Sequence, residues 1–196
     1  SLRPPRTDRR IRITHLIATL DRGGSEGQMA QLVMRLDPKY FETEVLCLSR
    51  GGPSGEILDA AGIPHRVIGK GGGFELSPLL WLLRRVSTKP PNVLHTWLFT
   101  SNTYGRVAAL LAGVEAVISS ERSTDPWKTR FHRALDGSLA TVTARIVANS
   151  RSVATSLVEH GIPRSKVTVI PNGVDTERFH PTEIHDARFI LGLPDG

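Results

Sequence analysis

The sequence predicts an α/β fold of the doubly wound, Rossmann-like kind, a mostly parallel seven-stranded sheet with helices on both faces. Three observations carry this. Seven short β-branched runs recur along the 196 residues. Longer amphipathic or alanine-rich stretches separate them, which is the alternation of βαβ units. The runs are apolar almost throughout instead of strictly alternating, as strands covered on both faces are.

Each element has its own local signal. The first strand, "IRITHLIA" at 11–18, leads through a glycine turn into a helix over 24–36. The second, "TEVLCL" at 43–48, precedes a helix over 53–61, and "HRVIG" at 65–69 is the third. "GKGGGF" at 69–74 reads as a flexible loop ahead of a helix over 77–87, with Ser77 as its cap and Pro78 in its first turn. "NVLHT" at 92–96 is the fourth strand, followed by a helix over 101–112. "AVISS" at 116–120 is the fifth, and Asp125 before Pro126 would cap a helix over 126–140. "RIVANS" at 145–150 is the sixth; the helix over 150–160 closes at Gly161 in a left-handed residue, with Pro163 just beyond. "KVTVI" at 166–170 is the seventh, and Asn172-Gly173 predicts a positive-φ turn after it.

Composition narrows the function classes. At 39% hydrophobic and 22% charged the chain is of globular type and long enough for a substantial core. No apolar run approaches the ~20 residues that cross a bilayer, and "SLRPPRTDRR" holds no secretory h-region. Residues 1–10 read as a disordered leader, and the start at Ser instead of Met reads as a processed or excised piece. The one cysteine, Cys47, excludes an internal disulfide, and its place in "EVLCL" predicts a buried structural thiol in a reducing, cytoplasmic setting. A net charge of +6 raises nucleic acid as a partner. The cations are dispersed, however, and no nucleic-acid-reading motif accompanies them. A solvated face ranks first, and an anionic membrane surface or phosphate-bearing ligand second. Lys128, Arg130, His132 and Arg133, within two turns of the predicted helix 126–140, are the cluster that points to a membrane.

The glycine turn poses the sharpest question. Gly23, Gly24 and Gly27 lie where bare backbone N–H groups can cradle a phosphate at a helix start. The dinucleotide fingerprint is incomplete. Arg22 stands at its first glycine position, and the second strand ends "LCLS" with no acid for a ribose, so a nicotinamide enzyme is disfavoured. The glycines alone leave three options open: a cradle, a tight turn, or half of a divided site. Glu26 reads as a first-turn acid.

His95 and Trp97 end the fourth strand, on the edge where open α/β sheets bind ligands. His95 is either a buried hydrogen-bonded imidazole or an acceptor contact, and Trp97 is either core or a sugar-stacking platform. Ser101 and Asn102, with Tyr104, open the predicted fourth helix, and capping accounts for the first two. Arg122 is either in an exposed salt bridge or placed to pair an acceptor phosphate or carboxylate. Asn149 or Ser150 would cap the sixth helix. No metal-binding cluster is visible.

"GGSE" after the first strand, "NVLHTW" on the fourth, "RIVANSRSV" on the sixth and "KVTVIPNGVDTERFHP" from the seventh, in that order and spacing, resemble the N-terminal domain of family 4 glycosyltransferases over about residues 11–193. The resemblance implies a retaining, nucleotide-sugar-dependent enzyme of GT-B architecture, with two Rossmann-like domains facing across a cleft. The acceptor would be held mainly by the first domain, here 11–181. The donor nucleotide would be held by a second, absent domain, approached by a linker beginning in 182–196. It implies that Gly23 and Gly24, with Ser25 and Glu26, face the donor diphosphate and stabilise the charge that grows as the sugar–phosphate bond breaks. It further implies that His95, Trp97, Asn102, Tyr104, Asn149 and Asn172 contact donor or acceptor, and that no cofactor, metal or protein nucleophile is required. The acceptor would be a glycan, a lipid-linked sugar or a small molecule, as in polysaccharide biosynthesis, and the protein would work in the cytoplasm, peripheral to the inner face of the membrane. This half alone would be inactive. Many relatives carry a histidine after the fifth strand; here Ser119, Ser120, Glu121 and Arg122 stand there, and either Glu121 or Arg122 takes over its electrostatic part or no residue is required there in this branch. The alternative is a non-catalytic glycan- or anion-binding module of the same fold.

Overall fold

The computed structural model describes residues 10–177, 179–180 and 190–192. Residues 1–9 of the leader assigned to 1–10, and most of the linker assigned to 182–196, lie outside the described residues. Strands β1 (Ile11–Thr19), β2 (Phe41–Arg50), β3 (His65–Val67), β4 (Val93–Trp97), β5 (Ala116–Glu121), β6 (Arg145–Ala148) and β7 (Val167–Val169) alternate with helices. These are α1 (Gly24–Arg35), α2 (Pro53–Ala60), α3 (Leu76–Thr88), α4 (Leu98–Ala112), α5 (Arg130–Ala140) and α6 (Arg151–Glu159), with a 3-10 turn at Arg164–Lys166 before β7. All seven strands are parallel, in the order β3-β2-β1-β4-β5-β6-β7.

That order reverses direction between β1 and β4, so right-handed crossovers put α1 and α2 on one face and α3 to α6 on the other. The two main core clusters follow the same division. Ile17 and Cys47 pack with Met29, Val33 and Leu58 under α1 and α2. Their strand neighbours Leu16 and Leu46 pack with Leu82, Tyr104 and Ala108 under α3 and α4. The period of two along a strand makes adjacent residues serve opposite cores. Cys47 is buried as expected; its thiol donates to the Arg50 carbonyl at 3.0 Å, and burial raises it to about 11.

Helix starts depart from the sequence reading wherever a tertiary contact outweighs a local cap. The fourth helix begins at Leu98, three residues early, because Leu98 takes a left-handed backbone (φ 65°) that turns the chain sharply out of β4. For a leucine this costs on the order of 1–2 kcal/mol. Ser101 and Asn102 are therefore buried inside the helix and cap nothing. The fifth helix begins at Arg130, not at Pro126: Thr129 and His132 form a reciprocal capping box, while Asp125 is itself left-handed and paired with Lys128 at 3.1 Å. The third begins at Leu76 after Glu75, whose N–H and C=O are both bound by the Tyr104 hydroxyl. Ser77 is therefore not its cap. Neither Asn172 nor Gly173 takes positive φ; the Gln28 side-chain amide shapes that turn instead. Two signals hold: Ser150 caps α6 by accepting from Val153 N–H, and Gly161 is left-handed beyond its end.

Gly105 lets α4 settle on the sheet. A Cβ there would collide with Thr96 Cγ2 and lie 3.1 Å from Leu16 Cδ2. Gly105→Ala is expected to lower stability by about 1–3 kcal/mol through overpacking, read as a fall in the urea midpoint.

Candidate functional site

Open α/β sheets bind ligands beyond the strand carboxyl ends where the order reverses. Here those ends belong to β1 and β4, followed by the glycine turn and by Leu98. Gly23 is the N-cap of α1, in extended conformation and without a side-chain cap. Its carbonyl takes the first helical bond from Gly27 N–H at 2.9 Å. The N–H groups of Gly24, Ser25 and Glu26 are then the orphan donors of the helix start. Open space lies beside Gly24, but a Cβ at Gly23 would collide with the Glu26 carboxylate. Glu26 folds back over the turn and accepts from Thr19 Oγ1 at 3.0 Å. One half of the expected cradle is bare; the other already holds an internal anion.

One turn further along α1 a groove of about 480 Å³ opens. Gln28, Leu32 and Arg35 form one wall, the ends of β4 to β6 its floor, and the exit segment 170–174 its rim. Beside Arg35, Arg122 is the second cation of this groove. Its guanidinium stacks 4.8 Å above the Trp97 ring, donates to Asn172 Oδ1, and keeps a buried Nε–H without a partner. Asn149 Nδ2 donates to the Arg122 carbonyl at 3.2 Å and so fixes its backbone. Beneath lie His15, His95 and Trp97. His95 Nε2 and Ser120 Oγ are 2.9 Å apart, and Trp97 Nε1 donates to His15 Nδ1 at 3.4 Å.

Glu121 and Arg122 are adjacent, so they point to opposite faces. Glu121, 3% exposed, turns away from the groove into a buried network under α4 and α5. It accepts from Asn102 Nδ2 at 2.7 Å. Lys128 Nζ lies 3.6 Å from Glu121, 3.1 Å from Asp125 and 3.0 Å from Asp136. Arg106 completes it, bonding Asp136 Oδ1 and the Asn102 carbonyl. Burial raises the Glu121 carboxyl, and Asp136 adds to that against the pull of Lys128 and Arg106. Burial alone would lower the Lys128 ammonium, but Glu121 and Asp136 outweigh it and raise it.

Several sequence assignments change on this geometry. Glu121 is a network carboxylate without access to the groove. Asn102 and Tyr104 are buried on the opposite face, the first against Glu121 and the second against Glu75 and the Phe74 ring. Trp97 is fully buried and roofed by Arg122, so no ring face is open to a sugar. Lys128 is not a surface cation. His95, Arg122, Asn149 and Asn172 do converge, whereas Gly23, Gly24 and Ser25 stand apart from the groove lining. Gln28, Arg35 and His15 escaped the sequence reading. Gln28 binds Gly173 through both its amide nitrogen and oxygen at 2.8 and 2.9 Å, across 145 residues, a pairing with no local signature. Among the described residues no three His, Cys, Asp or Glu side chains are grouped to hold a metal ion, and no helix is long and apolar enough to cross a membrane.

The model of Glycosyltransferase Family 4 matches residues 22–178. The chain belongs to glycosyltransferase family 4. It is similar to EpsF of Bacillus subtilis (25% identity over 87% of this chain and 47% of the relative). It is also similar to the Escherichia coli UDP-Gal:alpha-D-GlcNAc-diphosphoundecaprenol alpha-1,3-galactosyltransferase (24% over 89% and 48%). Among solved structures it superposes on Anabaena Alr3699/HepE in complex with UDP and glucose, with a TM-score of 0.76, 17% identity, and coverage of 93% of this chain and 50% of that one. The chain thus spans about half the length of the curated relatives it matches, and the fold is that of a GT-B half.

Within this family 4 chain the two core histidines are neutral. Burial pushes His15 down to about 3; burial, then His15 and Arg122, hold His95 well below the usual imidazole range. A histidine depressed on folding contributes stability that is whole above its unfolded value near 6.5 and is lost as pH falls toward the folded value. Unfolding free energy is therefore expected to drop by about 1.4 kcal/mol per pH unit for each ring below pH ~6. Urea titrations at pH 7 and 5 check this, and His15→Gln should flatten the dependence.

Proposed function

We propose that this chain is the acceptor-side half of a retaining hexosyltransferase that moves a sugar from a nucleotide-sugar to a lipid-linked sugar diphosphate, a second Rossmann-like domain holding most of the donor. The single observation that carries the reading is the family match, and the geometry fits it. Orphan N–H groups at the start of α1, open beside Gly24, and the partly desolvated Arg122 guanidinium stand at the sheet edge where a departing diphosphate needs positive partners. As the sugar–phosphate bond breaks, negative charge grows on the phosphate, and fixed donors in a site closed from water stabilise it without reorganising.

Retention follows if the acceptor oxygen attacks from the face the diphosphate leaves, with that diphosphate receiving the acceptor's proton. No side chain of this half then serves as nucleophile, which agrees with His95 being buried and hydrogen-bonded to Ser120 and with Glu121 being buried away from the groove. Glu26 holds the anion position over Gly23 until donor phosphates arrive. The reading asks for no metal from this half, predicts that the half alone is inactive, and sets the reaction at the cytoplasmic face of a membrane. The UDP-bound relative and the diphosphoundecaprenol acceptor of another support the donor and acceptor classes.

The complete enzyme should transfer label from one member of a nucleotide-sugar panel to an undecaprenyl-diphosphate sugar, with the anomeric configuration kept. Transfer only to soluble acceptors overturns the acceptor class. No turnover with any donor, together with retained glycan binding, favours the non-catalytic module.

A further inference from the structure

We infer that Trp127, Phe131, Arg130 and Arg133, on the loop after β5 and the first turn of α5, form a docking surface for an anionic phospholipid bilayer. Two large aromatics stand in water there, Trp127 at 56% and Phe131 at 73% exposure. Neither is a loose side chain. Both contact the His132 ring, at 5.4 and 6.0 Å between centroids, and Trp127 meets Phe99 edge-on at 5.3 Å. His132 is itself fixed by the capping box with Thr129. An ordered aromatic pair presented to solvent is the kind of surface that inserts at a bilayer's headgroup level.

The charge around it supplies the complementarity. Residues 116–158 contain three carboxylates, Glu121, Asp125 and Asp136, and all are buried in the network around Lys128 and Arg106. The exposed charge of this segment is therefore purely cationic. Arg130, exposed beside the aromatics, and Arg133, half-buried one helical turn on and facing α6, have no carboxylate within salt-bridge distance among the described residues. Apolar rings flanked by unopposed guanidinium groups match anionic headgroups above acyl chains. A protein partner is less well served, since the hollow beside Arg133, about 30 Å³, is too small to take in a side chain. The surface follows β5, at whose end Arg122 stands, so docking there would bring the groove edge of the sheet to the lipid. This rests on the side chains alone and stands whether or not the transfer reaction is as proposed.

The test uses the full chain, with no sugar donor or acceptor present. Sedimentation with phosphatidylglycerol/phosphatidylcholine vesicles should show binding that falls with added salt, and phosphatidylcholine vesicles alone should bind at least ~tenfold more weakly. Trp127→Ser with Phe131→Ser should weaken binding about tenfold or more. Arg130→Gln and Arg133→Gln should each weaken it roughly fivefold. In the unaltered chain, brominated phospholipid should quench the emission of Trp127, the one exposed tryptophan among the three, and Trp127→Phe should remove that quenching. This readout needs no destabilising substitution. Undiminished binding by the double aromatic variant, equal binding to neutral vesicles, or bound protein without quenching each overturns the proposal.

Discussion

Asp136→Ala is expected to lower the free energy of unfolding by about 3–5 kcal/mol. The carboxylate is buried, and both of its oxygens are used: Oδ1 by Arg106, itself 1% exposed, and Oδ2 by Lys128 at 3.0 Å. Removing it strands a guanidinium in the interior with only the Asn102 and Asp136 carbonyls as partners. It also shifts Lys128 onto Glu121 and Asp125 alone. The loss of a buried partner costs far more than the pair contributes over an apolar replacement, because the remaining charge keeps its desolvation penalty. Urea unfolding reads the effect as a lower midpoint at unchanged slope. Asp136→Asn, which keeps an acceptor but not the charge, should fall between the two. A loss below ~1 kcal/mol would mean that water reaches Arg106 after the substitution.

Arg122→Ala should reduce kcat/KM of the complete enzyme about 10²–10³-fold while melting shifts little. The first figure is what removal of one preorganised donor to a developing oxyanion costs. The second follows because the side chain is half-exposed and its stacking on Trp97 amounts to roughly 1 kcal/mol. Arg122→Lys should not restore the rate: an ammonium cannot both lie flat on the indole and reach Asn172. A variant with unchanged kcat/KM would remove Arg122 from the reaction and shift the role onto the α1 amides.

The elements of the fold were legible because each buries a run long enough to show its period. The parallel pairing of the sheet followed from strands joined by helices, whereas the order β3-β2-β1-β4-β5-β6-β7 carries no local signal. What the residues did not reveal were the places where distant groups meet. The start at Leu98 is set by a left-handed turn out of β4 and that at Arg130 by the Thr129–His132 capping box, where the simpler cap signals pointed to Ser101 and Asp125. The same blindness affected the site. His95 and Arg122 were found because they end strands, where ligands gather. Glu121 looked like a site residue for the same reason, and Asn102 through the resemblance, yet both face the other core. One residue of offset along β5 separates the groove from the buried network, and a strand's facing cannot be read at its last position without knowing which helices cover it. Glu26 was read correctly as a first-turn acid, but its folding back over Gly23 depends on Thr19, a contact between strand end and helix that spacing alone does not specify.

The exit segment has a mechanical consequence. Gln28 grips Gly173 in both directions, and Arg35 reaches Asp175 at 3.2 Å. The polypeptide leaving the three-residue edge strand β7 is thus fastened to the helix that follows the central strand. Tension applied beyond residue 175 would load α1 and the middle of the sheet before it could peel the rim. A tug there would also tilt the helix whose first turn presents Gly24, coupling strain in the tether to the aim of its amides.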